Sequence, residues 1–217
     1  MARIALIGGH GKVALLASEL LTQAGHSVDA IIRNPDHAGD VAATGATPVV
    51  ADVESLDVAA LTDLLAGHDV VVWSAGAGGG NPARTRAVDR DAAIRSMDAS
   101  AAAGVPRYVM VSYFGAGPDH GVPADNPFFA YAEAKTAADA HLEASPLAWT
   151  ILRPSSLTLD APTGRIDADA AASGHVSRAN VAAVLAAVID ADQDAVARRI
   201  IAFNDGSTPI ADVVSGA

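Results

Sequence analysis

The chain has 217 residues, 51% of them hydrophobic, and a formal net charge of -11; that length suits one large α/β domain, and the acidic balance argues against a nucleic-acid partner. It contains no cysteine, which excludes disulfides, thiolate catalysis and cysteine-based metal sites and fits a cytoplasmic location. The N-terminal apolar run is too short for a signal peptide, and no stretch reaches the ~18 apolar residues of a membrane span.

The pattern predicts strands alternating with alanine-rich helices. In chain order these are a strand at Arg3–Ile7, a helix at Lys12–Ala24, a strand at Ser27–Ile32, a helix at Asp36–Ala43 and a strand at Thr47–Ala51. A helix at Leu56–Ala66, a strand at Asp69–Ser74, a helix at Ala83–Ala103 and a strand at Arg107–Ser112 follow. The chain then gives a helix at Phe128–Ala144, a strand at Ala148–Leu152, a helix at Arg178–Asp190 and a last strand at Arg198–Phe203. The Val/Ile-rich strands suit a parallel sheet buried on both faces. Gly25, Gly45, Gly67 and Gly104 each follow a helical run, where a left-handed residue is favoured, and Ser177 is placed to cap the last helix. Repeated β-α-β units imply a doubly wound α/β sheet of order 3-2-1-4-5-6 plus a C-terminal strand, with helices on both faces. Pro48 fits because the third strand is then an edge. Asp160–Gly174 reads as a polar loop or small cap. The whole is one domain, residues 1–217, with a substrate-side portion from about residue 154 onward.

The first strand runs into Gly8-Gly9-His10-Gly11-Lys12-Val13-Ala14. Gly8 and Gly11 permit a tight turn and close approach of backbone to a pyrophosphate, Ala14 takes the small-residue position of helix–strand contact, and the helix aims its free N–H groups at the phosphates. The turn follows a strand, opens a helix and lies inside a β-α-β unit, which is the context a Rossmann dinucleotide site requires. About 20 residues further on, where NAD sites place an acid, stand Arg33 and Asn34. A guanidinium there would bind a ribose 2′-phosphate, which predicts NADP(H) over NAD(H); a merely solvent-facing Arg33 is the alternative. Lys12 adds charge from the turn. Asp52, with Val53, is placed to meet the adenine amino group, or else serves as a helix-start acid. Ser74-Ala75-Gly76 forms a small-residue turn beside the ribose, and Gly78 to Gly80 read as a mobile loop.

Tyr131 and Lys135 lie four residues apart, on one helical face. A phenol with a pKa near 10 is a poor neutral-pH acid–base catalyst. An ammonium about 4 Å away contributes on the order of 4 kcal/mol, enough to bring the phenol down by about three pH units at most.

With these residues the chain resembles the short-chain dehydrogenase/reductase superfamily, in its atypical, epimerase/dehydratase-like NAD(P)H-binding branch. Gly8-x-x-Gly11-x-x-Ala14, Arg33-Asn34-Pro35, Tyr131-x-x-x-Lys135 and Ile151-Leu152-Arg153-Pro154 carry the likeness across nearly the whole chain. The resemblance implies Tyr131 as general acid/base and Lys135 as its electrostatic and ribose-binding partner, with Pro154 and Ser155 near the nicotinamide. One departure stands out. The family's catalytic Ser or Thr aligns with Tyr113, and Ser112 comes one residue early, which in a strand reverses the side-chain direction.

The resulting expectation is hydride transfer to or from a small carbonyl- or quinone-like substrate by a monomer or homodimer. The alternatives are a non-catalytic NADPH sensor, motivated by the 112–113 departure, and a sugar-nucleotide epimerase or dehydratase, disfavoured by the short stretch after the sixth strand. Specificity is expected in loops Ala77–Asn81, Gly115–Asn126 and Ser156–Gly174, and Phe114, Phe128 and Phe129 hint at a planar apolar substrate or simply pack the core. The histidines lack H-x-H or H-E-x-x-H spacing, and Asp160, Asp167 and Asp169 lack the partners of a calcium loop. No metal is expected.

Overall fold

A computed structural model describes residues 1–78 and 81–216; the predicted glycine loop at Gly79 and Gly80 lies outside them. The elements in order are β1 (Arg3–Ile7), α1 (Lys12–Gln23), β2 (Ser27–Ile32), α2 (Ala38–Ala43), β3 (Thr47–Val50), α3 (Val58–Leu65) and β4 (Val70–Trp73). Then come α4 (Pro82–Thr85), α5 (Ala93–Ala102), β5 (Arg107–Val111), α6 (Phe129–Ala144), β6 (Ala148–Pro154), β7 (Ser156–Thr158), β8 (Arg165–Asp167) and β9 (His175–Ser177). The chain closes with α7 (Arg178–Asp190), α8 (Gln193–Val196), β10 (Arg199–Asp205), β11 (Thr208–Pro209) and α9 (Ile210–Ser215).

The central sheet runs β3-β2-β1-β4-β5-β6-β10-β8-β11, parallel from β3 to β10. This is the doubly wound order, with β3 and its Pro48 at the edge. Strand residues alternate between two apolar layers. Ile4 and Leu6 of β1 face α1 and α7, whereas Ala5 and Ile7 face the layer of α3, α5 and α6. Both faces of the parallel strands are therefore covered, which is why they lack polar alternation. Gly25, Gly45, Gly67 and Gly104 all have positive φ, and the Ser177 hydroxyl accepts the Asn180 amide as α7's cap.

Three regions depart from the sequence pattern. The helix expected at Ala83–Ala103 forms as one continuous run, but its hydrogen bonding changes along it: α4 leads into a π-helical turn at Arg86–Ala92 before α5. The segment preceding α2 is a 3₁₀ turn, Pro35–His37. The polar stretch Asp160–Gly174 contains β8, which pairs antiparallel with β10 and β11 and widens the sheet beyond the expected single C-terminal strand. Burial supplies the reason. Asn180, fully buried at the start of α7, accepts the amides of Thr163 and Gly164 and donates to the Arg165 carbonyl and the Asp205 carboxylate. A side chain far along the chain thus orders a segment with no periodicity of its own.

Candidate cofactor and active site

The glycine turn is pressed between two strand ends. Gly8 has φ 86°, and a Cβ there would lie 2.6 Å from the Ala75 backbone; one at Gly9 would lie 2.7 Å from the Ala30 Cβ. Gly11 is the N-cap of α1, with no side chain capping it and no acid in the first turn. The first amides of a twelve-residue helix are therefore left for an external anion. The turn stands between two cavities at the carboxyl ends of the strands, of about 300 Å³ and about 720 Å³. Gly11, Ser74, Ala75 and Gly76 line both, so the two form one cleft with a glycine waist. A long ligand with a diphosphate at its middle fits that shape. Lys12 and Val13 face the larger lobe, Gly8 and His10 the smaller; Gly9 lines neither and serves close packing against β2.

The smaller lobe holds Arg33, Asn34, Asp52 and Val53, as the sequence predicts. It also holds two residues the pattern does not reveal. Glu54 lies 3.7 Å from Arg33 and 3.4 Å from Arg84, so one carboxylate faces two guanidinium groups. Arg84 comes from α4, distant in sequence, and nothing local marks it. His10 stacks on His37 at 3.6 Å and reaches Asp40 at 2.9 Å. Asp52 accepts the Glu54 amide in a tight turn, and Asp57 is the cap of α3, which removes the helix-start reading of Asp52. Asn34 caps the 3₁₀ turn through the Asp36 amide.

The larger lobe brings together Ser112, Tyr113, Tyr131, Pro154 and Ser155. Tyr113, Phe128 and Tyr131 form a triangle with ring centroids 5.1 to 5.6 Å apart. Phe114 joins this wall, while Phe129 packs on His120 instead. The Tyr113 hydroxyl is buried without a hydrogen-bond partner among the described residues. The Ser112 hydroxyl is engaged: it donates to Asp139 at 2.8 Å. Asp139 is buried and also takes the Arg153 guanidinium at 3.1 Å. Tyr131, Lys135 and Asp139 continue one stepping of four residues along α6, a period that sequence reading follows only to its second member.

Lys135 differs from expectation. Its ammonium is buried beneath the cavity wall, donating to the Val111 carbonyl at 2.8 Å and lying 3.1 Å from the Met110 sulfur. Burial lowers its pKa, against the pull of Asp139 and Asp89. The Tyr131 phenol is pushed up rather than down, by burial first and then by Asp89, Asp139 and Tyr113. The expected lowering fails because desolvation and two carboxylates outweigh an ammonium that backbone already holds. Asp89, from the π-helical turn, is a further unforeseen residue. It is buried at the junction of the larger cavity with a neighbouring one of about 440 Å³. It accepts the Ala77 amide at 3.1 Å and so holds the turn after β4. Burial raises its pKa, although that amide and Lys135 act against the rise.

Residues 8–192 match the model of a family described as NAD(P)H-binding. The chain belongs to this family. It is 32% identical over 218 residues to a Bacillus subtilis protein named as an uncharacterized sugar epimerase, covering 98% of both chains. A Schizosaccharomyces pombe UPF0659 protein is 32% identical over 232 residues, covering 97% of this chain and 93% of that one. Among solved structures, a putative NAD-dependent epimerase/dehydratase from Bacillus halodurans superposes with a TM-score of 0.89 at 30% identity over the full length of both chains. The protein is thus an NAD(P)H-binding member of this family with a Rossmann-like α/β fold, which fits the atypical short-chain dehydrogenase/reductase branch. No helix among the described residues is long and apolar enough to cross a membrane.

Proposed function

We propose that the protein is an NADPH-dependent oxidoreductase acting on a small carbonyl or quinone, with Tyr131 as the proton donor. One observation carries this reading: the Tyr131 phenol lines the same cavity of about 720 Å³ as the uncapped start of α1. A nicotinamide bound there supplies or takes up a hydride. Gly11, Lys12 and Val13 would hold the diphosphate, and Ser74 to Gly76 would lie along the ribose. Arg33 supports the phosphorylated cofactor, because a guanidinium at the end of β2 neutralises a 2′-phosphate. The aromatic wall excludes water and orients a flat acceptor. A phenol kept protonated by its surroundings is the form that reduction consumes. Lys135 and the Asp139–Arg153 pair fix α6 against β5 and β6, and so position the phenol. The B. subtilis relative is named as a sugar epimerase; a lobe that must also take the nicotinamide half of a cofactor favours a small substrate over a nucleotide sugar.

Replacing Tyr131 by Phe tests the assignment. Turnover with NADPH should fall by about 100-fold or more, while NADPH affinity stays within a few-fold; retained turnover removes Tyr131 from the role. The pH profile has a definite sign. With the phenol titrating above its ordinary value near 10, reduction should stay level from about pH 7 to about pH 10, and alcohol oxidation should climb over that range.

A second reading, an NADPH-binding sensor without turnover, is favoured by the engaged Ser112 hydroxyl and by the Lys135 ammonium turned to the Val111 carbonyl. NADPH binding with no oxidation across a panel of aldehydes and quinones would establish it.

A further inference from the structure

The larger cavity has a second cationic end. Counting across the sheet, β4 and β5 separate β1 from β6, so the glycine waist and the β6 exit lie about 14 Å apart at ordinary strand spacing. Beyond β6 the wall consists of Ser155, Ser156, Leu157, Ser173 and Arg178. Arg178 is the first residue of α7 and is half-buried. One η nitrogen donates to the carbonyls of Leu157 and Thr158, at 3.1 and 2.8 Å, and clamps β7. The rest of the guanidinium has no hydrogen-bond or ion-pair partner among the described residues. This matters in a chain with a net charge of -11, where Arg3, Arg33, Arg84, Arg90 and Arg153 each pair with an acid and Arg178 pairs with none among the described residues. The lobe's charged wall residues are Lys12 and Arg178 against one carboxylate, Asp89, which already accepts the Ala77 amide. Lys12 stands at the waist, where the diphosphate needs it. Arg178 is tied instead to β7, beyond β6, through the Leu157 and Thr158 carbonyls.

We infer that Arg178 is a specificity residue: the acceptor carries a carboxylate or similar anion, held by the free face of this guanidinium beside Ser156 and Ser173. The inference rests on the reductase reading and names its substrate class. The aromatic triangle contacts the flat body, Tyr131 serves the carbonyl, and Arg178 takes the far, charged end. A guanidinium pinned by two carbonyls has little freedom left to lose, so it recognises an anion at small entropic cost.

The test uses 4-formylbenzoate and its methyl ester as probes, with calorimetry on the NADP⁺-loaded protein and turnover with NADPH. In turnover the hydride goes to the carbonyl carbon and a proton to its oxygen, consuming one NADPH per alcohol formed. One charge-assisted contact predicts that the acid binds about tenfold or more tightly than the ester. Arg178→Lys, which keeps the charge, should retain most of this preference. Arg178→Gln, which keeps donors for the β7 carbonyls but loses the charge, should bring the acid-to-ester ratio to near one. Equal binding of acid and ester by the wild-type protein, or a preference that survives Arg178→Gln, overturns the inference. Turnover of both probes without an acid preference leaves the reductase and removes Arg178. An Arg178-dependent acid preference in binding, with neither probe turned over, keeps the anion site and removes the reductase.

Discussion

The two lobes of the cleft are built by different means. The smaller lobe is mostly main chain: a glycine turn, two strand ends and a short turn after β3, with its charged groups at the surface. The larger lobe is mostly side chains brought from β5, α6, β6, the π-helical turn and the start of α7, and it rests on buried charge. Asp139 is 2% exposed and Arg153 15%, yet between them they tie α6 to β6. The difference predicts that the lobes fail separately. A backbone-built lobe fails through shape, whereas a lobe standing on a buried ion pair fails through an uncompensated charge.

The largest effect should come from Arg153→Met. It leaves the Asp139 carboxylate buried with the Ser112 hydroxyl as its remaining hydrogen-bond donor among the described residues and the Lys135 ammonium as a neighbouring charge, and losing one partner of a buried pair costs about 3 to 5 kcal/mol. In a chain of this size that lowers Tm by roughly 10 °C. Pairing it with Asp139→Asn should recover much of the loss, because the charge is then gone from both sides. If the lobes are independent, adenosine 2′,5′-bisphosphate should still bind the folded single variant with near wild-type affinity. A weakened bisphosphate would show that the ion pair supports the whole cleft.

The complementary break is Gly8→Ala. Its methyl would meet the Ala75 backbone at 2.6 Å at a φ of 86°, and the strand end has nowhere to go. Displacing the turn misaims the amides of α1, and losing two charge-assisted contacts weakens NADPH by on the order of 100-fold. Gly78→Ala is the control. Its φ is 82°, but nothing lies within 4 Å of the added methyl, so only the ~1 to 2 kcal/mol of left-handed strain remains. Fluorescence titration of NADPH separates the two, and equal losses would mean that strain rather than crowding governs the turn.

The same division explains how much could be read from the sequence. The β-α-β order, the edge position of Pro48, the glycine turn and Arg33 follow from local patterns that neighbouring residues enforce. Strand β8 does not, because Asn180 imposes it from a later helix. Asp89 escaped because the helical pattern at Ala83–Ala103 looks continuous, and the π-helical turn that swings this acid to the cavity has no compositional mark. Ser112 and Tyr113 both reach the cavity wall because β5 ends at Val111; strand alternation no longer applies past that point. The direction of the Tyr131 shift was hidden for a related reason. Spacing places an ammonium on the same helical face, but only packing shows that Val111 holds it and that two carboxylates stand nearer in effect.

The smallest expected effect is the sharpest on cofactor choice. Glu54 faces Arg33 at 3.7 Å and Arg84 at 3.4 Å on a half-open surface. If the lobe reads a 2′-phosphate, this carboxylate competes with the ligand for both guanidinium groups. Exposed pairs are worth about 0.2 to 1 kcal/mol, so Glu54→Gln should tighten NADPH by about two- to fivefold and leave NADH little changed. Arg33→Ser should do the reverse and cut the NADPH-to-NADH preference by about tenfold. Both effects should shrink as salt is raised, since screening acts on exposed charges first. The opposite outcome for Glu54→Gln carries its own meaning. A carboxylate that accepted the ribose 2′-hydroxyl would make NADH the weakened ligand, and the two arginines would then serve to hold that acid in place rather than to receive a phosphate.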